Sequence, residues 1–190
     1  MKKILLTISL FTIILLCGCS TNNEAILKNA ETTQTDNTTQ EPFDMESYKK
    51  SIKHFNDSAM DTSVLLSNMA QYENSYWQAL EKKIGGKINF DEMLSATYDW
   101  LEEKGNTKKE ELEKKYNDVC SIYKEISLIE VSDKEAEELQ SESKELFTSF
   151  NALYNLATNP SGDNSTFVKN YNEYIDSIKS HNSLIETYLK

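Results

Sequence analysis

From Asp44 onward the chain carries a single proline, Pro160, and its apolar residues recur in alternating steps of three and four. Starting at Met45, those steps land on Tyr48, Ile52, Phe55, Ala59, Thr62, Leu66, Met69, Glu73, Tyr76 and Leu80, and nine of the eleven positions suit a packed seam. A repeat of about 3.5 residues keeps one stripe of a helix facing a neighbour along its whole length, the spacing of helices packed nearly parallel or antiparallel. The pattern predicts a first helix from Asp44 to Ile84, which at 1.5 Å per residue is about 60 Å long.

Gly85-Gly86 ends that helix, since glycine readily takes the left-handed conformation of a helix terminus. Asn89 followed by Glu92 is a capping-box-like start for a second stretch, whose seam reads Leu94, Tyr98, Leu101, Gly105, Lys108, Leu112, Val119, Ile122, Ile126 and Ile129. Two signals conflict at Gly105-Asn106-Thr107. Thr107 to Glu110 spells another capping box, whereas the apolar phase passes from Leu101 to Leu112 without slipping. The expectation is one rod-like element, kinked or split near Gly105. Ser132 to Glu135 is a clear capping box opening a third helix along Ala136, Leu139, Leu146, Phe150, Leu153 and Ala157. Asn159-Pro160-Ser161-Gly162 forms a turn, and Phe167, Tyr171, Tyr174, Ile178, His181, Ile185 and Tyr188 line a fourth. Short connections make successive helices antiparallel. The expected fold is all-α, an antiparallel up-down bundle of about four helices over residues 43–190, the first two projecting past the others as a paired stalk.

The start of the chain has a different character. Lys2 and Lys3 precede Ile4 to Leu16, an apolar run broken only by Thr7, Ser9 and Thr12. It is too short for a bilayer span of about 20 residues and fits the apolar region of an export signal. Leu16-Cys17-Gly18-Cys19 closes it. That ending resembles the lipobox of bacterial lipoproteins, with Cys17 in a place more often held by Ser, Ala or Thr. The resemblance covers the first twenty residues. It implies a diacylglyceryl group on the Cys19 thiol, cleavage after Gly18, and acyl chains such as palmitate holding the protein at the outer face of the cytoplasmic membrane; two chains suffice for stable anchoring. Residues 1–18 then form the signal peptide and 19–42 a lipid-anchored flexible tether. The stretch from Ser20 to Glu41 is polar and rich in Thr and Asn, with a root-mean-square reach of about 25 Å.

Removal of residues 1–18 takes two lysines and leaves 18 against 31 acidic side chains, a formal charge of −13. The chain has no arginine. Without bidentate guanidinium forks, and with this charge, nucleic acid is not an expected partner, and anionic lipid headgroups would repel rather than attract. The Lys, Asn and Ile bias without Arg looks like that of a low-GC Gram-positive bacterium. Cys120 is the one cysteine left once Cys17 departs and Cys19 is modified, so no intramolecular disulfide is expected.

Catalytic and metal motifs are absent from the sequence. HExxH, Gly-x-Ser-x-Gly and phosphate-loop patterns do not occur, and Gly85-Gly86-Lys87 lacks the flanking residues of a P-loop. The residues three before His54 and His181 are Ser51 and Ile178, not the Glu of a di-iron bundle. The acidic runs lack the converging loop that calcium needs. No catalytic residue, cofactor or metal is therefore expected; His181 reads as a hydrogen-bonded seam histidine and His54 as a surface one. The remaining feature is aromatic. Tyr72, Tyr76 and Trp77 in the first helix, and Tyr98 and Trp100 in the second, concentrate near the connection between those helices and form a candidate ligand-binding patch. The sequence as a whole points to a non-enzymatic, cell-surface helical interaction module with a protein partner, or alternatively to an envelope-glycan or small-ligand binder using that aromatic patch.

Overall fold

The computed structural model describes residues 43–190, apart from residues 85–87 and 106 and the side chains of residues 83, 84 and 105. The expected signal peptide and tether, with Cys19, lie outside the described residues. Within them every regular element is an α-helix: α1 is Met45–Ile84, α2 Phe90–Gly105, α3 Lys109–Ser127, α4 Lys134–Thr158 and α5 Asn164–Tyr188.

α1 begins where the Asp44 carboxylate accepts hydrogen bonds from the backbone amides of Glu46 at 3.2 Å and Ser47 at 3.3 Å, satisfying donors that have no partner inside the helix. Its seam is buried at every expected position from Tyr48 to Glu73. A further column, Asn56, Ser63, Ala70 and Trp77, is buried as well. Those four are spaced by seven and widen the hidden stripe beyond that of a two-helix seam, because α1 packs against all four other helices. The seam consequently passes to Trp77 at its end, while Tyr76 stays half-buried.

Two helices stand where the apolar phase alone suggested one interrupted rod. α2 ends at Gly105, a poor residue for a helix interior, and α3 starts afresh after Lys108, an extended residue that offers no side-chain cap. The third capping box is also displaced by one residue. Asp133, not Ser132, caps α4, accepting from the amides of Glu135 and Ala136. At the turn into α5, Pro160 is buried, Gly162 takes a φ of 86°, and Asp163 accepts from the amide of Thr166.

Contacts between helices fix their register. Cross-bonds from α4 to α5 join Glu138 to Tyr188, Glu142 to His181 and Ser149 to Ser177, so the two helices run in opposite senses. Phe55 of α1 packs against Tyr123 of α3, 5.6 Å between centroids, and Phe147 of α4, 6.4 Å. Asn56, 1% exposed, donates through Nδ2 to Asn182 and Glu186 of α5. The main core gathers around Phe55, Leu66, Leu112, Leu139, Leu146 and Phe150, and burying side chains of this size contributes about 1.5–3 kcal/mol each. A second cluster joins Ala70 and Trp77 of α1, Met93 of α2 and Phe167 of α5. The α1–α2 pair is thus braced by the first turn of α5 at the level of Trp77.

Candidate functional site

The five aromatic residues singled out from the sequence separate into two environments. Tyr72 of α1 and Trp100 of α2 stack with centroids 4.8 Å apart and planes inclined by 19°, and Tyr76 lies 6.4 Å from Tyr72 one turn along. These three are half-buried and form a strip along the α1–α2 seam. Trp77 sits elsewhere. Adjacent helical residues point about 100° apart, so Trp77 faces inward, 3% exposed, edge-on to Phe90 at 5.1 Å and 5.8 Å from Phe167. Tyr98 also turns toward the core. Its phenol is pushed up to about 12, by burial first and then by Tyr154, Glu113 and Glu73, and the Lys109 ammonium of α3 lies 5.5 Å from its ring centroid. A ligand stacking on this region from outside would therefore meet Tyr72, Tyr76 and Trp100, with Trp77 and Tyr98 serving as the packing beneath.

Glu73 lies one residue beyond Tyr72 and is fully buried. Neither carboxyl oxygen has a hydrogen-bond partner among the described residues. Burial lifts its pKa from 4.5 to about 9, so the group is a neutral carboxylic acid at pH 7. Thr97 of α2 is also fully buried, and its hydroxyl donates to the Met93 carbonyl of its own helix at 2.8 Å. The sequence signal for Glu73 was its phase: an acidic residue on a seam position that the following apolar turns do not abandon. A strongly perturbed, buried acid is the kind of group that marks functional sites.

Two other features complete the polar inventory. A shallow groove of about 200 Å³ runs between α1 and α5, lined by Met60, Val64, Ser67, Gln71, Tyr171 and Lys179. The Tyr171 hydroxyl there lies 2.8 Å from both Ser67 Oγ and Gln71 Nε2. Toward the opposite end, half-buried His181 places Nδ1 2.6 Å from Glu142 Oε2, while His54 is exposed. Among the described residues, no group of three or more His, Cys, Asp or Glu side chains is placed to hold a metal ion, and Cys120 is half-buried.

Compared with known proteins, the chain matches no family model, no curated protein and no solved structure.

Proposed function

We propose that the protein is a lipoprotein of the cell envelope, anchored through diacylglyceryl-Cys19 at the outer face of the cytoplasmic membrane. Its helical domain, an antiparallel up-down bundle, acts without catalysis as a docking module for a protein partner. The observation that carries this reading is the order of parts in the chain: a lipobox ending at Cys19, a polar tether from Ser20 to Glu41, then a helical domain from Phe43. An anchor followed by a flexible spacer holds a domain near the membrane while leaving its surface free to meet partners. Among the described residues no helix is long and apolar enough to cross a membrane, so the acyl chains are the membrane contact in this reading.

The test is cross-linking of the protein on living producer cells, followed by capture and mass spectrometry, with Cys19→Ala alongside. Membrane fractionation reads the anchor, and the expected result is loss of the variant from the membrane fraction. A defined protein adduct present with wild type and lost in the released variant supports the docking reading. Retention of Cys19→Ala in the membrane fraction would refute the anchor, and recovery of wall glycan as the sole adduct would refute the protein partner.

A second reading, an envelope-glycan or small-ligand binder, is favoured by one feature, the stack of Tyr72 on Trp100 with Tyr76 beside it. Aromatic faces of this kind stack on sugar rings as readily as on protein. Titration with wall-glycan fragments should then quench Trp100 fluorescence in a Trp77→Phe background, and a flat titration would count against it.

A further inference from the structure

The groove between α1 and α5 inverts the charge of the chain around it. The sequence carries 31 acidic against 20 basic side chains, yet the lining holds the Lys179 ammonium and no carboxylate. Lys179 is exposed and belongs to none of the lysine–carboxylate pairs among the described residues. Charges more distant than about 8 Å are largely screened at physiological ionic strength, so an anion seated in the groove answers first to Lys179.

The other end of the groove is also a donor. Ser67 Oγ and the Tyr171 hydroxyl lie 2.8 Å apart, and Gln71 Nε2 donates to both, at 3.2 and 2.8 Å. The pair has two hydroxyl protons and spends one on itself, which leaves one O–H without an acceptor among the described residues. Between the two ends the wall is apolar, formed by Met60, Val64 and Ile175, and Val64 is 57% exposed. α1 and α5 run in opposite senses here, since Asn56 bonds to Asn182 while Ser67 meets Tyr171. Met60 therefore stands at the Lys179 end and Val64 beside Ile175. Tyr171, Ile175 and Lys179 follow one another at steps of four, so the two donor ends are about 12 Å apart along the helix.

That spacing matches a strand. An extended peptide rises about 3.3 Å per residue and turns alternate side chains to one face, so three residues on the same face span about 13 Å. We propose that the groove takes an extended segment of the protein partner, with a carboxylate over Lys179 and an aliphatic side chain two residues away against Val64 and Ile175. A hydrogen-bond acceptor two residues further meets the spare O–H of the Ser67–Tyr171 pair. The inference rests on the docking reading above and names its surface and the chemistry of the segment it receives.

The probes are the blocked pentapeptide acetyl-Asp-Ala-Leu-Ala-Ser-amide and its reverse order, titrated at millimolar concentration into the full helical domain on its natural chain and followed by amide NMR shifts. One of the two orders should shift residues 60–71 and 171–179 and leave α3 and α4 unmoved. Lys179→Gln should weaken that binding about two- to fivefold, as should Asn in place of the peptide's Asp, and the two changes together should cost no more than either alone. Absence of localised shifts with both peptides, or additive losses, would overturn the groove. Cross-linking on living cells separates this from the docking reading. Val64→Gln combined with Lys179→Glu changes two exposed side chains, and should leave the helical circular dichroism and membrane anchoring intact while abolishing the protein adduct of wild type. An adduct that persists would overturn the groove and leave the docking reading standing, whereas no adduct with wild type would overturn the docking reading itself.

Discussion

Replacing Glu73 with glutamine should leave the protein almost unchanged at pH 5 and stabilise it by about 3 kcal/mol at pH 7. The carboxyl is fully buried and its pKa is lifted from 4.5 to about 9 by burial. In the unfolded chain it is ionised above its ordinary value, so each pH unit between the two values favours unfolding by about 1.4 kcal/mol. Two and a half units from 4.5 to 7 amount to about 3 kcal/mol, and half a unit at pH 5 to under about 1 kcal/mol. Glutamine has nearly the same shape as the neutral acid, with an NH2 in place of the O–H, and no proton to lose in this pH range. The comparison therefore removes the ionisation and little else, and titrations shared by both proteins cancel. Urea denaturation at pH 5, 6, 7 and 8 measures it. With a slope of about 2 kcal/mol per molar urea, the midpoint of the variant should exceed that of wild type by more than about 1 M at pH 7. Parallel stability curves for the two proteins across that range would refute the reasoning, since Glu73 would then be ionised in the folded state or partnered within it.

Phe150→Ala should cost about 3–5 kcal/mol in the same assay, because Phe150 is fully buried and packs on Tyr116 at 5.9 Å and Phe147 at 6.4 Å. Asp133→Ala should cost about 1 kcal/mol by removing the cap on the amides of Glu135 and Ala136; an unchanged midpoint would show that water serves those amides equally well. In single-tryptophan variants, acrylamide should quench Trp100, half-buried in the α1–α2 strip, several-fold more strongly than Trp77, which is 3% exposed. Tyr188→Phe should raise the Glu138 pKa toward its ordinary value, read by carboxyl NMR titration, because the Tyr188 hydroxyl donating at 2.6 Å is the main influence holding it down.

The helices themselves were legible in the spacing of apolar residues. One proline-free run with a constant three-four step cannot satisfy its backbone and bury its stripe in any other way than as a helix against helices, and the Asn159 to Gly162 turn carried its own conformational signal. The identity of the starting residue was less secure. Ser132 and Asp133 both have oxygens able to cap, and only the path of the chain into α4 assigned the task to Asp133. The break after Gly105 likewise stayed open in the sequence, because the apolar phase is indifferent to three or four missing helical bonds.

Tertiary structure decided what faced what. A heptad pattern gives the stripe that packs but not its width, and the burial of Asn56, Ser63, Ala70 and Trp77 follows from α1 having neighbours on several sides. The aromatic residues near the first connection were visible as a group, yet the angle between adjacent helical positions sent Trp77 inward and left Tyr72 stacked on Trp100. Glu73 shows the division most clearly. Its seam position could be counted along the chain, but whether a seam acid is paired, hydrated or sealed depends on which side chains close over it. That closure is set by long-range packing, and the neutral form of the buried acid follows from it.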